Sequence, residues 1–87
     1  MDEYVNQTDL VILKTLERLG KTTISELYYE VVIIKRISYQ AVRSHIRKLE
    51  KYGHVRREGR GRDAVIEITE KGRRLLDKTL QLLVMTH

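Results

Sequence analysis

Eighty-seven residues with a formal net charge of +5, a pI near 9.7 and no cysteine, proline, tryptophan or phenylalanine bound what this chain can be. Folding at that size buries only about 60–65% of the unfolded surface, so residues 1–87 are expected to make one domain. With disulfides and thiolate metal sites excluded, self-association is the common remaining source of stability.

The chain opens on a polar, acidic lead-in, Met1 to Gln7, expected to be frayed. Thr8 can cap a first helix over Asp9 to Leu19, with Asp9 at its positive end. Leu10, Leu13 and Leu16, with Val11 and Leu19, make the apolar stripe, and Gly20 ends the helix. Lys21 to Thr23 is a short β-friendly bridge. Thr23-Ile24-Ser25-Glu26 reads as a capping box opening a second helix through Ile24, Leu27, Tyr28 and Val31. The run Val31-Val32-Ile33-Ile34 would also suit a strand. Because it is short and follows a capped start, it reads as the last helical turn, ending near Lys35 and Arg36.

The third helix, Tyr39 to Tyr52, has two faces of different chemistry. Ser38 is a good N-cap, Ile37 and Val42 have the spacing of a hydrophobic staple, and Gly53 suits a left-handed C-cap. At 100° per residue Val42, His45, Ile46, Leu49 and Tyr52 share one face. Gln40, Ser44, Arg47 and Lys51 lie opposite, flanked by Arg43 and Lys48. Such a helix suits the DNA major groove, where Gln pairs with adenine, Arg with guanine and other cations with phosphate. A plain solvated face is the competing reading.

After Gly53 the period changes to two. His54 to Glu58 and Asp63 to Ile68 alternate around Gly59-Arg60-Gly61-Arg62, which is a β-hairpin with two glycines for the positive φ angles of a tight turn. Thr69 then caps a fourth helix, Glu70 to about Val84, with a wide stripe of Leu75, Leu76, Thr79, Leu80, Leu83 and Val84. Met1 to Ala41 holds acids and bases in near balance, whereas from Arg43 to Arg62 bases far outnumber Glu50 and Glu58. The positive field that favours polyanion partners is therefore concentrated on the third helix and the hairpin. An arginine-rich chain with few Asn and Gln is also compatible with a thermophilic source.

The expected class is mainly α with a small β-hairpin (α+β), in the order helix-strand-helix-helix-hairpin-helix. These residues resemble the winged helix-turn-helix domain of small prokaryotic transcription regulators of the MarR and PadR kind. The match lies in Ile24-Ser25-Glu26-Leu27, in Val42 with Ile46-Arg47-Lys48-Leu49-Glu50-Lys51-Tyr52-Gly53-His54-Val55, and in Ile68-Thr69-Glu70-Lys71-Gly72. It covers about Thr8 to Leu83. The segment between Glu26 and Val42 is about four residues longer than the common helix-turn-helix spacing, which implies an extra helical turn or a longer connection. Full-length MarR-type proteins usually carry additional dimerisation helices, and here only the fourth helix and the lead-in are available for that job.

The resemblance makes the third helix the recognition helix. Tyr39, Gln40, Arg43 and Ser44 near its start are the base-contacting candidates. Ser38, Arg47, Lys48 and Lys51, with Arg56 and Arg57 on the hairpin, are the phosphate-contacting ones, although Arg57 could equally pair with Glu67. The hairpin tip resembles a wing, and Arg60 and Arg62 fit a narrow, strongly negative minor groove. Residues 70–84 are the expected dimerisation helix: Leu76, Leu80, Leu83 and Met85, helped by Leu10 or Val11, could pack on a second copy, or else finish the core of one chain. A dimer would set two recognition helices about one DNA turn apart on a pseudo-palindromic site.

His45, His54 and His87 lack a carboxylate or thiol cluster, so no metal site is expected. Tyr28 and Tyr29 read as packing residues. No catalytic constellation and no cofactor site is visible; Gly59-Arg60-Gly61 is too short for a phosphate loop and leads to a strand. No run approaches the ~20 apolar residues of a membrane span and no signal-peptide pattern opens the chain. The expectation is a non-enzymatic, homodimeric regulator that binds double-stranded DNA sequence-specifically in the cytoplasm, at the nucleoid. The alternatives are a winged-helix protein–protein interaction module or a non-specific architectural or replication-associated DNA binder.

Overall fold

A computed structural model describes residues 5–85 of the chain; the side chains of Arg62, Leu83, Val84 and Met85 lie outside that description, as do Met1 to Tyr4, Thr86 and His87. The elements are α1 (Gln7–Leu19), β1 (Thr22–Thr23), α2 (Ile24–Ile34), α3 (Tyr39–Lys51), β2 (Val55–Glu58), β3 (Val65–Ile68) and α4 (Glu70–Met85). The strands form one antiparallel sheet in the order β1-β3-β2. Its register pairs Thr22 with Ile66 and Val55 with Ile68, so the short bridge after α1 is a third strand on the hairpin.

Two helix starts are built by reciprocal caps. In α2 the expected box holds: Glu26 N–H donates to Thr23 Oγ1 at 3.2 Å, and Thr23 N–H donates to the Glu26 carboxylate at 3.2 Å. In α1 the cap differs from the expectation at Thr8. The Asp9 N–H donates to Asn6 Oδ1 at 3.0 Å, and Asn6 N–H donates to Asp9 Oδ2 at 2.9 Å. The helix therefore starts at Gln7, inside the expected lead-in, and Thr8 is buried instead of exposed at the end.

The buried face of α1 is also rotated from the expected stripe. Ile12, Leu13 and Leu16 are fully buried with Asp9, and Thr15 nearly so, while Leu10, Val11 and Leu19 are partly buried at the edge of the core. The physical reason is position: α1 packs against α2, α3, β3 and α4, so it buries a broad face. Thr15 tolerates burial because its hydroxyl donates to the Val11 carbonyl at 2.7 Å. The rest of the core comes from Ile24, Leu27 and Val31, from Val42, Ile46 and Leu49, from Val55, Ile66 and Ile68 on the strands, and from Leu75 and Leu76.

Leu76 is 1% exposed, which removes it from the expected dimer surface: its side chain completes the core of a single chain. From Asp77 to Leu82 every residue of α4 except Thr79 is exposed. The β-branched run does end α2 as helix, and the extra length shows as a final turn whose Ile33 and Ile34 are 78% and 62% exposed. Tyr29, expected to pack, is 66% exposed, whereas Tyr28 is partly buried against the core.

The first turn of α4 approaches the loop after α3 closely. A Cβ added at Gly72 would sit 2.3 Å from the His54 carbonyl oxygen and 2.8 Å from Ile68 Cγ1. One neighbour is backbone and cannot swing away. Gly72→Ala should therefore cost about 1–3 kcal/mol through overpacking and lower Tm by roughly 4–8 °C per kcal/mol. A thermal melt checks this, and an unchanged midpoint would mean that the two elements are not in that contact.

Candidate nucleic-acid interface

α3 is closed at both ends by its own sequence. Ser38 Oγ accepts the Ala41 N–H at 3.0 Å, Ile37 packs on the core and Val42 is fully buried. At the other end Gly53 takes φ 80°. Gly53 N–H donates to the Glu50 carbonyl at 3.0 Å and His54 N–H to the Leu49 carbonyl at 2.8 Å, which is the Schellman pattern that satisfies the last carbonyls of a helix.

Three other elements fix α3 from outside. The first turn of α4 reaches across: Lys71 Nζ donates to the Tyr52 carbonyl at 2.7 Å, Thr69 Oγ1 to the Gly53 carbonyl at 2.6 Å, and Thr69 N–H to the His54 carbonyl at 3.0 Å. The Thr69 hydroxyl also accepts the Gly72 N–H at 3.0 Å, so one side chain caps α4 and ties down the end of α3. At the start of α3, the Tyr39 ring stands edge-on to Tyr28 with centroids 5.5 Å apart.

The third tie is Asp9 of α1. Its carboxylate is fully buried. Oδ1 lies 2.7 Å from His45 Nδ1, and Oδ2 accepts from Lys48 Nζ at 2.5 Å. Sequence reasoning missed this node. The signal available was an acid inside the buried face of α1, facing a His and a Lys one turn apart on the flank of α3.

The outward face of α3 gathers Gln40, Arg43, Ser44, Arg47 and Lys51, all exposed. Arg43 and Arg47 make no ion pair with another described residue, and Lys51 Nζ stands 5.9 Å from the Tyr52 ring centroid. Two expected site residues, Lys48 and Tyr39, are turned inward, while Ser38 caps the helix as expected. The Lys48 ammonium is on Asp9, and Tyr39 is half-buried against Tyr28.

Beyond α3 the hairpin projects as a wing, with Gly59 and Gly61 at φ 88° and 69° around Arg60 and a short 3-10 turn over Gly61–Asp63. Arg60 is exposed and makes no ion pair among the described residues; the Arg62 side chain lies outside them. The strands carry their own neutralising acids. Arg56, not Arg57, pairs with Glu67, as the register Arg56↔Glu67 requires. Arg57 Nε donates to Glu50 Oε1 at 3.3 Å, and Lys21 Nζ lies 3.5 Å from Glu58. The hydrogen bond from Arg56 holds the Glu67 carboxyl below its ordinary value near 4.5. A cleft of about 190 Å³ opens where the starts of α2 and α3 meet the wing, lined by Ile24, Tyr39, Arg43, Arg57 and Gly61.

A separate, mostly apolar groove of about 610 Å³ runs on the other side of the molecule, lined by Leu10, Val11, Ile34, Leu76 and Leu80 with Lys14 and Lys35 at its rim. Leu80 is 38% and Leu82 54% exposed; Leu83 and Met85, the other expected dimer contacts, lie outside the described side chains. Among the described residues no group of three His, Cys, Asp or Glu could hold a metal ion, and no helix is long and apolar enough to cross a membrane.

A sequence family described as the ribonuclease R winged-helix domain matches residues 10–76. No curated protein sequence matches the chain significantly. Among solved structures, the fold is similar to that of Bordetella bronchiseptica BpsR, whose DNA binding is regulated by 6-hydroxynicotinic acid. The TM-score is 0.77 at 21% identity, over 97% of this chain and 58% of that one. It is also similar to a MarR family protein from Bacillus stearothermophilus, with TM-score 0.71 and 21% identity over 88% of this chain and 52% of that one. A transcriptional regulator from Clostridium thermocellum gives TM-score 0.75 and 22% identity over 91% and 82%. At these identities the likeness is one of fold. The chain spans little more than half the length of the first two proteins.

The wing ion pair has a defined pH signature. Because Glu67 titrates lower in the folded chain than in the unfolded one, its contribution is complete above the unfolded value and is lost as pH falls through the folded one. Melting curves of the native chain and Glu67→Gln should therefore differ at pH 7 and converge as pH is lowered through and below the ordinary carboxylate range. A constant gap across that range would show that the carboxylate charge does not stabilise the hairpin.

Proposed function

The chain belongs to the ribonuclease R winged-helix domain family, and we propose that it is a regulator of transcription that binds double-stranded DNA in a sequence-specific way. The observation that carries this reading is the segregation of side chains on α3. Val42, Ile46 and Leu49 are fully buried on one face, while Gln40, Arg43, Ser44, Arg47 and Lys51 are exposed on the other. A phosphate-only binder gains little from Gln40; base edges in the major groove offer Gln and Arg bidentate partners.

In this reading Gln40, Arg43 and Ser44 meet base edges, with Tyr39 at their border. Arg47 and Lys51 meet phosphates, and Arg60 and Arg62 reach the adjacent minor groove. Arg57 and Arg43, on either side of the cleft below the wing, can bracket the strand that crosses it. BpsR, the similar protein from Bordetella bronchiseptica, binds DNA, which supports the same use of the fold here. The family name comes from a ribonuclease, so duplex RNA is the natural competitor in any test.

The decisive experiment is selection of bound duplexes from a random library at about 150 mM salt with duplex RNA as competitor. We expect an enriched motif with two-fold-related half-sites about ten base pairs apart. Tight DNA binding without a motif would instead make the chain an architectural binder, and no retained DNA would point to protein assembly. Arg43→Ala should relax preference at one position and cost about 1–3 kcal/mol, whereas Lys51→Ala should weaken all sequences alike and lower the salt slope by about one.

We further propose that it acts as a homodimer, paired through the second half of α4 and the groove bordered by Leu10, Val11 and Leu80. Exposed Leu80 and Leu82 on a helix whose earlier turns already complete the core support this. Sedimentation velocity should give twice the chain mass. Leu80→Glu, which puts a charge at the centre of that surface, should give the monomer while keeping the helical signal; a monomeric native chain would overturn the dimer.

A further inference from the structure

We infer that Asp9 is a positioning residue for recognition: by holding Lys48 and His45 it fixes the rotation of α3 and keeps the Lys48 ammonium off the DNA phosphates. This rests on the DNA-binding reading above and concerns how the same face is set.

The helical period places Lys48 at the border of the exposed face, one turn from Ser44 and three residues from Lys51. A flexible four-carbon stem there would ordinarily reach a phosphate. Its ammonium is instead 2.5 Å from Asp9 Oδ2, and His45 Nδ1 is 2.7 Å from Oδ1. The carboxylate is fully buried, while the Lys48 and His45 side chains are 30% and 21% exposed. A cap explains neither of these contacts. Closing the box on Asn6 uses Oδ2 and the backbone, and an exposed carboxylate at the same position would do that equally well. Oδ1 is directed to α3, and an ionised oxygen takes its hydrogen bond from a donor, here the His45 ring N–H.

A charge buried this deeply is stable only with its partners in place. Two of them are a turn apart on α3, so the pair of contacts resists both sliding and rolling of that helix against α1. Base readout depends on that angle, because bidentate contacts from Gln40 and Arg43 tolerate little misalignment. The same contacts subtract one cation from the exposed face. Asp9 thereby lowers the phosphate-driven part of affinity, which is blind to sequence, and holds in register the part that reads bases.

The test is the salt dependence of binding to a labelled duplex, for Lys48→Gln, Asp9→Asn and their double variant, with Lys51→Gln as reference. Each phosphate contact adds about 0.9 to the slope of log K against log salt. Lys51→Gln should lower the slope by about one, and Lys48→Gln should leave it at the native value. Asp9→Asn should steepen it by about one as Lys48 joins the phosphate set, and should cut the preference for the selected motif over a scrambled duplex by roughly tenfold, the worth of one aligned base contact. Adding Lys48→Gln to Asp9→Asn should restore the native slope and not the preference.

A drop on Lys48→Gln equal to that on Lys51→Gln would overturn the inference, as would an unchanged slope in a folded Asp9→Asn. Should Asp9→Asn lose its helical signal, the Lys48→Gln slope decides by itself. A native chain that binds no duplex at any salt sinks the DNA-binding reading itself, a result distinct from a native chain that binds normally and loses slope with Lys48.

Discussion

The carboxylate of Asp9 joins the first helix of this chain to the third across thirty-six and thirty-nine residues of sequence. Removing an ionised carboxylate from water costs several kcal/mol even after relaxation, so its burial is tolerable only because every side of it is met: Asn6 N–H from its own cap, His45 and Lys48 from α3. The apolar core around it does not specify an angle between helices to the same degree, since side chains such as Ile12 and Ile46 could repack with modest cost. The polar node has Asn6, His45 and Lys48 all in place only when α1 and α3 meet in this arrangement. The helix caps and the aromatic contact at Tyr28 and Tyr39 are consistent with that one arrangement.

The far end of α3 is held by a different device. The carbonyls just past its end, on Tyr52, Gly53 and His54, take their donors from Thr69 and Lys71 at the start of α4. The short run Thr69-Glu70-Lys71-Gly72 does three jobs there. Thr69 caps α4 and bonds Gly53, Lys71 satisfies Tyr52, and Gly72 removes the Cβ that would block the approach. A motif that reads in sequence as the mere beginning of a helix is therefore a bracket between two helices. With α1 holding the middle of α3 and α4 its end, the exposed face is fixed relative to the rest of the fold.

Charge is sorted by the same architecture. On the hairpin, cations and acids alternate across the strands, and Arg56, Arg57 and Lys21 each meet a carboxylate. Exposed pairs of this kind contribute little to stability; their consequence is where positive charge is left over. Among the described residues, cations without an ion pair remain on the outer face of α3 and at Arg60 on the tip, and also at exposed Arg36, Arg74 and Lys78. Apolar surface is sorted too: the core closes at Leu76, and Leu80 and Leu82 beyond it on α4, with Ile33 and Ile34 at the end of α2, are left exposed.

The sequence by itself determined the elements and their order, because caps, glycines and hydrophobic period act over a few residues. Thr23 with Glu26, Ser38, the Gly53 turn and the glycines around Arg60 all do locally what their residue types dictate. It determined the buried face through Val42, Ile46 and Leu49 and the polar face opposite them, although Tyr52, expected on the buried side, is 37% exposed. What only the tertiary structure decided depends on groups far apart in the chain. The α1 cap moved to Asn6 because Asp9 is drawn inward by α3, and Lys48 left the polar face for the same reason. Arg56 took Glu67 because strand register, not proximity in sequence, sets cross-strand neighbours. Leu76 fell into the core because α4 packs against both α1 and β3, an arrangement that exists only in the assembled domain. A periodic pattern fixes which residues share a face; how much of that face one chain can cover, and which charges meet across the gap, is settled only when the helices are set against each other.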